Sequence, residues 1–379
     1  MAAYHPWVYL KGGIERLLFE LITHSRHEWI LYTHHFDPGS TFPEMKDLNV
    51  VQLAPRISVR RSLRPLIRAS RIMMTTQLPD DGARALLVSS DGMGDLLMVR
   101  NRLPAACYLH TPLKILHDPV TRETLAKESK MKSIGLSLLA PAFQIATRRA
   151  WRRYGHVFVN SEETRARVTR AKLVPNGPVE VLHPGVDADR YAFKPGPRQP
   201  FFLVPGRMMW QKNIELAIDA FARAHGTDMQ GELVIAGMVD EKSRPYLASL
   251  RARASELPIR FVVDPSDARM IELYQACTAV IFPPSSEDFG IVPLEAMAAG
   301  APVLAVDAAG PRETVRSGET GWLLPPFPDA FADKMREVAA AGPALEPVRR
   351  AARQRALAFS WRTFADRVDH VMEDMARSK

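Results

Sequence analysis

Ala279-Val280-Ile281-Phe282-Pro283-Pro284-Ser285-Ser286-Glu287-Asp288-Phe289-Gly290-Ile291-Val292-Pro293-Leu294-Glu295-Ala296-Met297-Ala298-Ala299-Gly300 decides the fold class. Its first four residues are apolar without alternation, so they read as a strand covered on both faces. A loop with two acids and a glycine follows, and Pro293 then stands in the first turn of a helix over 292–299. The backbone N–H groups that open such a helix lack intrahelical acceptors and can bind an anion. Glu287 in the loop and Glu295, eight residues on, are expected to bring a loop carboxylate and a first-turn carboxylate to one mouth of a sheet. Carboxylates there can hold sugar or ribose hydroxyls through charge-assisted hydrogen bonds. The plainer alternative is that an acid near the helix start serves only the helix dipole.

The same alternation runs through the chain. Short apolar runs at 29–33, 86–90, 106–110, 157–160, 201–205, 233–236, 260–263, 279–282, 302–305 and 322–324 read as buried parallel strands. Helix-patterned segments lie between them, among them 12–23, 214–225, 245–256 and 292–299. Strand–helix repetition predicts an α/β fold of two Rossmann-like, doubly wound domains. Pro184-Gly185 followed by Pro195, Gly196, Pro197 and Pro200 marks a boundary. The expected organisation is a domain over 1–185, a linker over 186–200, a second domain over 201–345, and a helix over 346–379 packing back on the first domain.

Two further places carry chemistry. The strand 201–205 ends in Gly206-Arg207, and Lys212 stands just before the helix starting at Ile214. Two cations five residues apart around a helix start suit a diphosphate; the alternative is solvated surface charge. Near the N-terminus Lys11-Gly12-Gly13-Ile14-Glu15 precedes a helix, and paired glycines let backbone approach a phosphate, or simply make a turn.

Taken together, these motifs resemble glycosyltransferase family 4. The resemblance is carried by the Gly-Gly-x-Glu start, Arg207 with Lys212, the block from Glu287 through Glu295 to Gly300, and Gly310-Pro311-x-Glu313 followed by Gly318 and Gly321. Leu109-His110-Thr111-Pro112 and Asn160-Ser161 are similar to first-domain signatures of a mannosyltransferase-like branch. The resemblance implies the GT-B fold, with a cleft between its two domains, and a reaction that retains the donor's anomeric configuration. It implies that Gly12 and Gly13 face the donor diphosphate, that Arg207 and Lys212 neutralise it, and that Glu287 touches the sugar hydroxyls. The backbone from Phe289 through Gly290 to Ile291 would assist, Glu295 would hold the ribose, Val263 would lie beside the base, and His110 would sit near the reacting sugar. The first strand, read as 2–5, is shorter than the family's pattern. Among catalytic groups the implied set is His110, Glu287, Arg207 and Lys212. No Asp-x-Asp cluster is seen at a strand end, so no metal and no cofactor are expected. The family's described reaction, front-face attack with the departing phosphate taking the acceptor's proton, is adopted because no carboxylate nucleophile is identified.

Composition bounds the partners. The 379 residues carry 50 Lys and Arg against 42 Asp and Glu, a net charge of +8. Residues 1–185 hold 26 and 16 of these, a balance of +10, leaving −2 for the remainder. The first half is therefore expected to meet an anionic partner, whether a membrane, a nucleic acid or a phosphorylated acceptor. Arg56, Arg60, Arg61, Arg64, Arg68 and Arg71 interleave with Ile57, Val59, Leu63, Leu66 and Ile67. Lys127, Lys130, Lys132, Arg148, Arg149, Arg152 and Arg153 frame an apolar stretch over 133–147 that is too short to span a bilayer. Basic beside apolar residues suit an anionic membrane surface, or a solvated face over a core. No nucleic-acid motif or stacking platform accompanies them, so nucleic acid is not an expected partner. Cys107 and Cys277 are isolated in apolar surroundings and no signal peptide is visible, so a cytoplasmic protein, with docking on the inner face of the membrane, is expected.

The reading is therefore a glycosyltransferase moving a hexose, mannose from GDP-mannose being the donor the branch suggests, to a lipid-linked or polysaccharide acceptor. The alternatives are a sugar-nucleotide epimerase of the same fold, a glycosyltransferase acting on a small soluble sugar or natural product, and a non-enzymatic nucleotide-binding module. A complete set of donor groups disfavours the last.

Overall fold

The computed structural model describes residues 1–58, 63–226 and 229–377. The chain divides into two compact units, Met1–Gly185 with Trp361–Lys379, and Val186–Ser360.

The first unit is built on seven strands: β1 (Ala2–Tyr4), β2 (Ile30–Thr33), β3 (Val50–Gln52), β4 (Leu86–Ser90), β5 (Ala105–Leu109), β6 (Tyr154–Val159) and β7 (Val179–Val181). Their order is β3-β2-β1-β4-β5-β6-β7 and every pairing is parallel. The second unit holds β8 (Phe201–Pro205), β9 (Glu232–Gly237), β10 (Ile259–Val263), β11 (Ala279–Phe282), β12 (Val303–Val306) and β13 (Gly321–Leu324). These too are all parallel, in the order β10-β9-β8-β11-β12-β13. Parallel strands need crossover connections, and the helices that provide them cover both faces of a sheet. This accounts for the unbroken apolar runs: every residue of β4, β5, β8 and β11 is buried. Alternate residues of one strand serve opposite layers, as the two-residue period requires. Phe202 and Val204 join one core cluster of the second unit, Phe201 and Leu203 the other. β1 is only three residues long, yet it is fully buried and pairs with β2 and β4 along its whole length. β3 was not expected, and β7 was foreseen only as a strand ended by Pro184-Gly185, without bounds. They are edge strands with half-exposed residues, and Val-Val-Gln and Val-Glu-Val give too short an apolar run to stand out.

Two expectations about organisation change. Residues 186–200 are not a free linker. Val186 lies in the second unit's core, Phe193 packs where a side chain on Gly300 would have to go, and Arg198 donates to the carbonyl of Ala299 at 3.1 Å. The single helix expected over 346–379 is two, Glu346–Leu357 and Trp361–Arg377. The break falls where Phe359 is buried and its carbonyl accepts from the Val186 N–H at 3.0 Å, which turns the backbone out of helical pairing. Ala352 and Ala356 of the first helix belong to the second unit's core. The second helix belongs to the first unit. There Arg367 grips Glu180 with two guanidinium hydrogen bonds of 2.8 Å. Asp369, fully buried, accepts from Ser25 Oγ at 2.6 Å and from the Arg26 N–H at 2.9 Å.

Asp369 ties the last helix to the end of the helix Gly13–His24. Replacing it by alanine removes two hydrogen bonds from a half-buried contact, each worth about 0.5–1.5 kcal/mol. Asp369→Ala should therefore lower the urea midpoint of the first unit's transition, followed by circular dichroism and tryptophan fluorescence. An unchanged midpoint would show that the helix is held by its apolar face alone.

Candidate active site

In each sheet the strand order reverses once, between β1 and β4 and between β8 and β11. Connections leaving two such neighbours go to opposite faces, and the crevice outside their carboxyl ends is where ligands bind in open α/β sheets. The candidate residues divide between these two places.

In the second unit, β8 runs into Gly206 and Arg207, with the Arg207 side chain exposed. Gly206 has φ +122°, and Gly237 at the end of β9 lies so close that a Cβ there would sit 1.8 Å from the Gly206 carbonyl oxygen. A turn over Trp210–Lys212 then leads through Asn213, in the left-handed region at φ 49°, into the helix Ile214–Ala224. Asn213 Nδ2 donates to the Pro283 carbonyl at 3.3 Å, and Lys212 Nζ donates to Glu287 Oε2 at 2.7 Å. The exits of β8 and β11 are thus stitched together. On the far side, the Gly310 N–H donates to the Glu287 carbonyl at 3.1 Å. A Cβ on Gly310 would lie 2.3 Å from the Phe289 carbonyl oxygen, so this contact needs glycine. Gly290, at φ +80°, heads the helix Ile291–Ala298.

Glu295 is the fifth residue of that helix, so it stands in the second turn rather than the first as expected. Tyr274 Oη donates to Glu295 Oε2 at 2.9 Å. Burial, with the Glu295 carboxylate beside it, holds the Tyr274 phenol protonated by raising its pKa well above the usual range. Arg190 pairs with Asp267, and the Glu295 charge also favours its guanidinium. Val263 closes the edge strand β10, two strands from β8, and is partly exposed. At the other end of the Glu295 helix, Arg198 and Arg353 donate to the carbonyls of Ala299 and Ala298 at 3.1 and 2.8 Å. Cations at a helix C-terminus complement the dipole whose positive end is at Gly290. The unit thus offers Arg207 and Lys212 as cations, the N-terminus of the helix Ile291–Ala298 as a positive dipole end, and Glu287 and Glu295 as hydroxyl acceptors.

In the first unit, Gly12 caps the helix Gly13–His24 with extended backbone. Glu15 folds back beneath the turn: Oε1 accepts from the Leu10 N–H at 3.2 Å, and a Cβ on Gly12 would meet Oε2 at 2.7 Å. Glu15 is buried, which raises its pKa. His110 follows β5. Its Nε2 lies 2.8 Å from Ser89 Oγ, and its carbonyl accepts from Asn160 Nδ2 at 2.9 Å. His5, whose Nδ1 is 2.8 Å from the Ser89 carbonyl, meets the His110 ring edge-on at 6.4 Å. Desolvation of the ring, and then His5, lower the His110 pKa to about 3. Among the described residues no three His, Cys, Asp or Glu side chains are grouped to hold a metal ion.

Comparison with known proteins decides the family. The model for "Glycosyltransferase Family 4" matches residues 11–190 and that for "Glycosyl transferases group 1" matches 187–355. The chain belongs to glycosyltransferase family 4. Its relatives include an alpha-1,3/1,6-mannosyltransferase of Rhizomucor pusillus, 26% identical over 97% of this chain and 90% of that protein. A D-inositol 3-phosphate glycosyltransferase of Mycobacterium avium is 30% identical over 54% of this chain and 51% of its own length. Among solved structures, the sucrose-phosphate synthase of Thermosynechococcus elongatus superposes with a TM-score of 0.76 at 19% identity, covering 100% of this chain and 99% of that one. Anabaena HepE, solved in complex with UDP, gives 0.73 at 16% identity, with 98% and 99% covered. These likenesses show the GT-B fold.

Four supporting residues of this glycosyltransferase escaped the sequence reading: Asn213, Tyr274, Ser89 and His5. Tyr274 sits in a helix at core spacing, and His5 and Ser89 are adjacent to the site only because β1 pairs with β4. Such cross-strand relations leave no signal in a single sequence.

A folded-state pKa of about 3 against 6.5 for a free histidine means that the unfolded chain takes up a proton that the folded chain refuses. The contribution is fully present above pH ~6.5 and is lost as pH falls toward 3. Imidazole NMR shifts should therefore report a neutral His110 ring down to about pH 4, and His110→Asn should flatten the acid side of the stability curve. A His110 titration near pH 6.5 would show that water reaches the ring.

Proposed function

We propose that this glycosyltransferase moves mannose from a nucleoside diphosphate sugar, GDP-mannose, onto a lipid-linked or other glycan acceptor. What carries the reading is the meeting of unlike charges at the β8–β11 crevice. Lys212 Nζ is bonded to Glu287 Oε2, Arg207 follows the end of β8, and Gly290 opens the helix that carries Glu295. The mannosyltransferase names of the relatives support the sugar, and the UDP in the HepE complex supports a nucleoside diphosphate.

Negative charge grows on the diphosphate as the glycosidic bond breaks. Arg207, Lys212 and the N–H groups opening the helix Ile291–Ala298 neutralise it, so the leaving group departs without a metal ion. In the resting protein Lys212 is held by Glu287; a diphosphate offers it a partner of higher charge while Glu287 turns to the sugar hydroxyls. Glu295, fixed by Tyr274, takes the ribose, and the backbone from Phe289 to Ile291 faces the sugar. Val263 borders the base. Gly12 and Gly13 leave room for the phosphates. The neutral His110 ring, set by Ser89, serves the reacting sugar as a hydrogen-bonding group and not as a cation. The acceptor attacks from the face the diphosphate leaves, whose oxygen accepts the proton, so configuration is retained. The +10 balance of the first half suits an acceptor carried by an anionic membrane on the cytoplasmic side.

Three outcomes test this. Against a panel of nucleotide sugars, GDP-mannose should be consumed fastest in the presence of a lipid-linked glycan; preference for a UDP-sugar would overturn the donor. Arg207→Ala should lower turnover by about 10²–10³, and near-normal turnover would remove Arg207 from the diphosphate. Transfer should persist in EDTA; activity abolished by chelator and restored by Mg²⁺ or Mn²⁺ would assign the charge stabilisation to a metal.

A further inference from the structure

The two basic clusters of the first unit are built differently. In the helix Leu63–Thr75, Ala69, Ile72 and Met73 are buried in the core and Leu66 packs against it. Arg64, Arg68 and Arg71 point out, with Ile67 the one exposed large apolar side chain among those described in this helix. Arg56 is exposed and its Nε donates to His35 Nδ1 at 3.1 Å. Val59, Arg60 and Arg61 lie outside the described residues, as does the Leu63 side chain. This cluster has the inward apolar and outward polar faces of an ordinary surface helix.

The helix Lys130–Trp151 does the reverse. Thr147, Ala150 and Trp151 are buried and Phe143 and Ala146 pack on the core, so its last turns are anchored. On the opposite face Met131, Ile134, Leu138 and Ile145 are 85, 60, 76 and 68% exposed. Steps of three, four and seven residues align them along one side. Lys130 stands at one end of this stripe and Arg148, Arg149 and Arg152 at the other, all exposed; the Lys132 side chain lies outside the description. No Asp or Glu occurs from Ser129 to Ser161. No described helix is long and apolar enough to cross a membrane.

We propose that the outward face of the helix Lys130–Trp151 is the element by which this protein enters a bilayer surface bearing anionic lipid. An apolar stripe closed at both ends by cations and free of acids matches an interface in which acyl chains lie beneath negative headgroups. The arginines of Leu63–Thr75 stay in the aqueous layer and contribute only long-range attraction. The inference deepens the membrane-borne acceptor proposed above, but its test uses no sugar donor, so it stands or falls apart from the transfer reaction.

The experiment is co-sedimentation of the full chain with vesicles of phosphatidylcholine alone, or mixed with phosphatidylglycerol, at about 0.1 M and 1 M salt, where the screening length falls from ~10 to ~3 Å. The mixed vesicles should bind the protein, with a fraction retained at high salt. The double variant carrying Ile134→Glu and Leu138→Glu should bind about tenfold more weakly, or worse, at both salt levels. Arg64→Ala, Arg68→Ala and Arg71→Ala together should weaken binding less than about threefold, and only at low salt. Cys107 and Cys277 are buried, so a thiol-reactive, polarity-sensitive dye reports an introduced cysteine. Leu138→Cys should shift to the blue on mixed vesicles and Arg68→Cys should not. Circular dichroism of each variant confirms folding. Unchanged binding of the Ile134→Glu, Leu138→Glu double variant would overturn the proposal. So would a silent dye at Leu138→Cys, equal binding to both lipids, or a dimer that the double variant dissociates without any lipid binding.

Discussion

β8 hydrogen-bonds to β9 on one side and to β11 on the other, and all three point the same way. Parallel neighbours cannot be joined by a tight turn. The chain must leave the carboxyl end of each strand, cross a face through a helix, and return. Every exit loop of the second unit therefore gathers at one edge, and the reversal of order puts the exits of β8 and β11 side by side. From that follow the 2.7 Å bond from Lys212 to Glu287, the Asn213 bond to the Pro283 carbonyl, and the backbone contact that only a glycine at 310 permits. A one-residue slip of β11 against β8 would turn its apolar residues to the wrong layers and carry Glu287 away from Lys212.

The helix after that loop is polarised from both ends. Gly290 starts it without a side-chain cap, while Arg198 and Arg353 occupy carbonyls at its end. Each cation at a helix C-terminus contributes roughly 0.3–1 kcal/mol. Both arginines come from segments distant in sequence, one from the 186–200 tract and one from the helix Glu346–Leu357. This gives the tract a structural duty: it carries a counter-charge to the far end of the helix that bears Glu295.

The first unit uses the same sheet logic with different chemistry. At its reversal point β1 and β4 bring His5 and Ser89 to His110, and burial keeps the ring neutral. The Gly-Gly turn close by in sequence is held from beneath by Glu15, whose carboxylate accepts from the Leu10 N–H.

The sequence alone determined the fold class and most of the strand set. Buried parallel strands must be apolar throughout and their helices amphipathic, and both patterns are local. It also pointed to Arg207, Lys212, Glu287 and Glu295, because strand, loop and helix start are consecutive in the chain. Tertiary structure alone decided what joins elements far apart. It showed Tyr274 holding Glu295 and Ser89 holding His110, it revealed the short edge strands, and it split the last helix between the two units at Phe359. It also separated the two basic clusters, which read alike as strings of arginine and apolar residues. Composition cannot say which side of a helix faces the core, since that depends on what the rest of the chain packs against it.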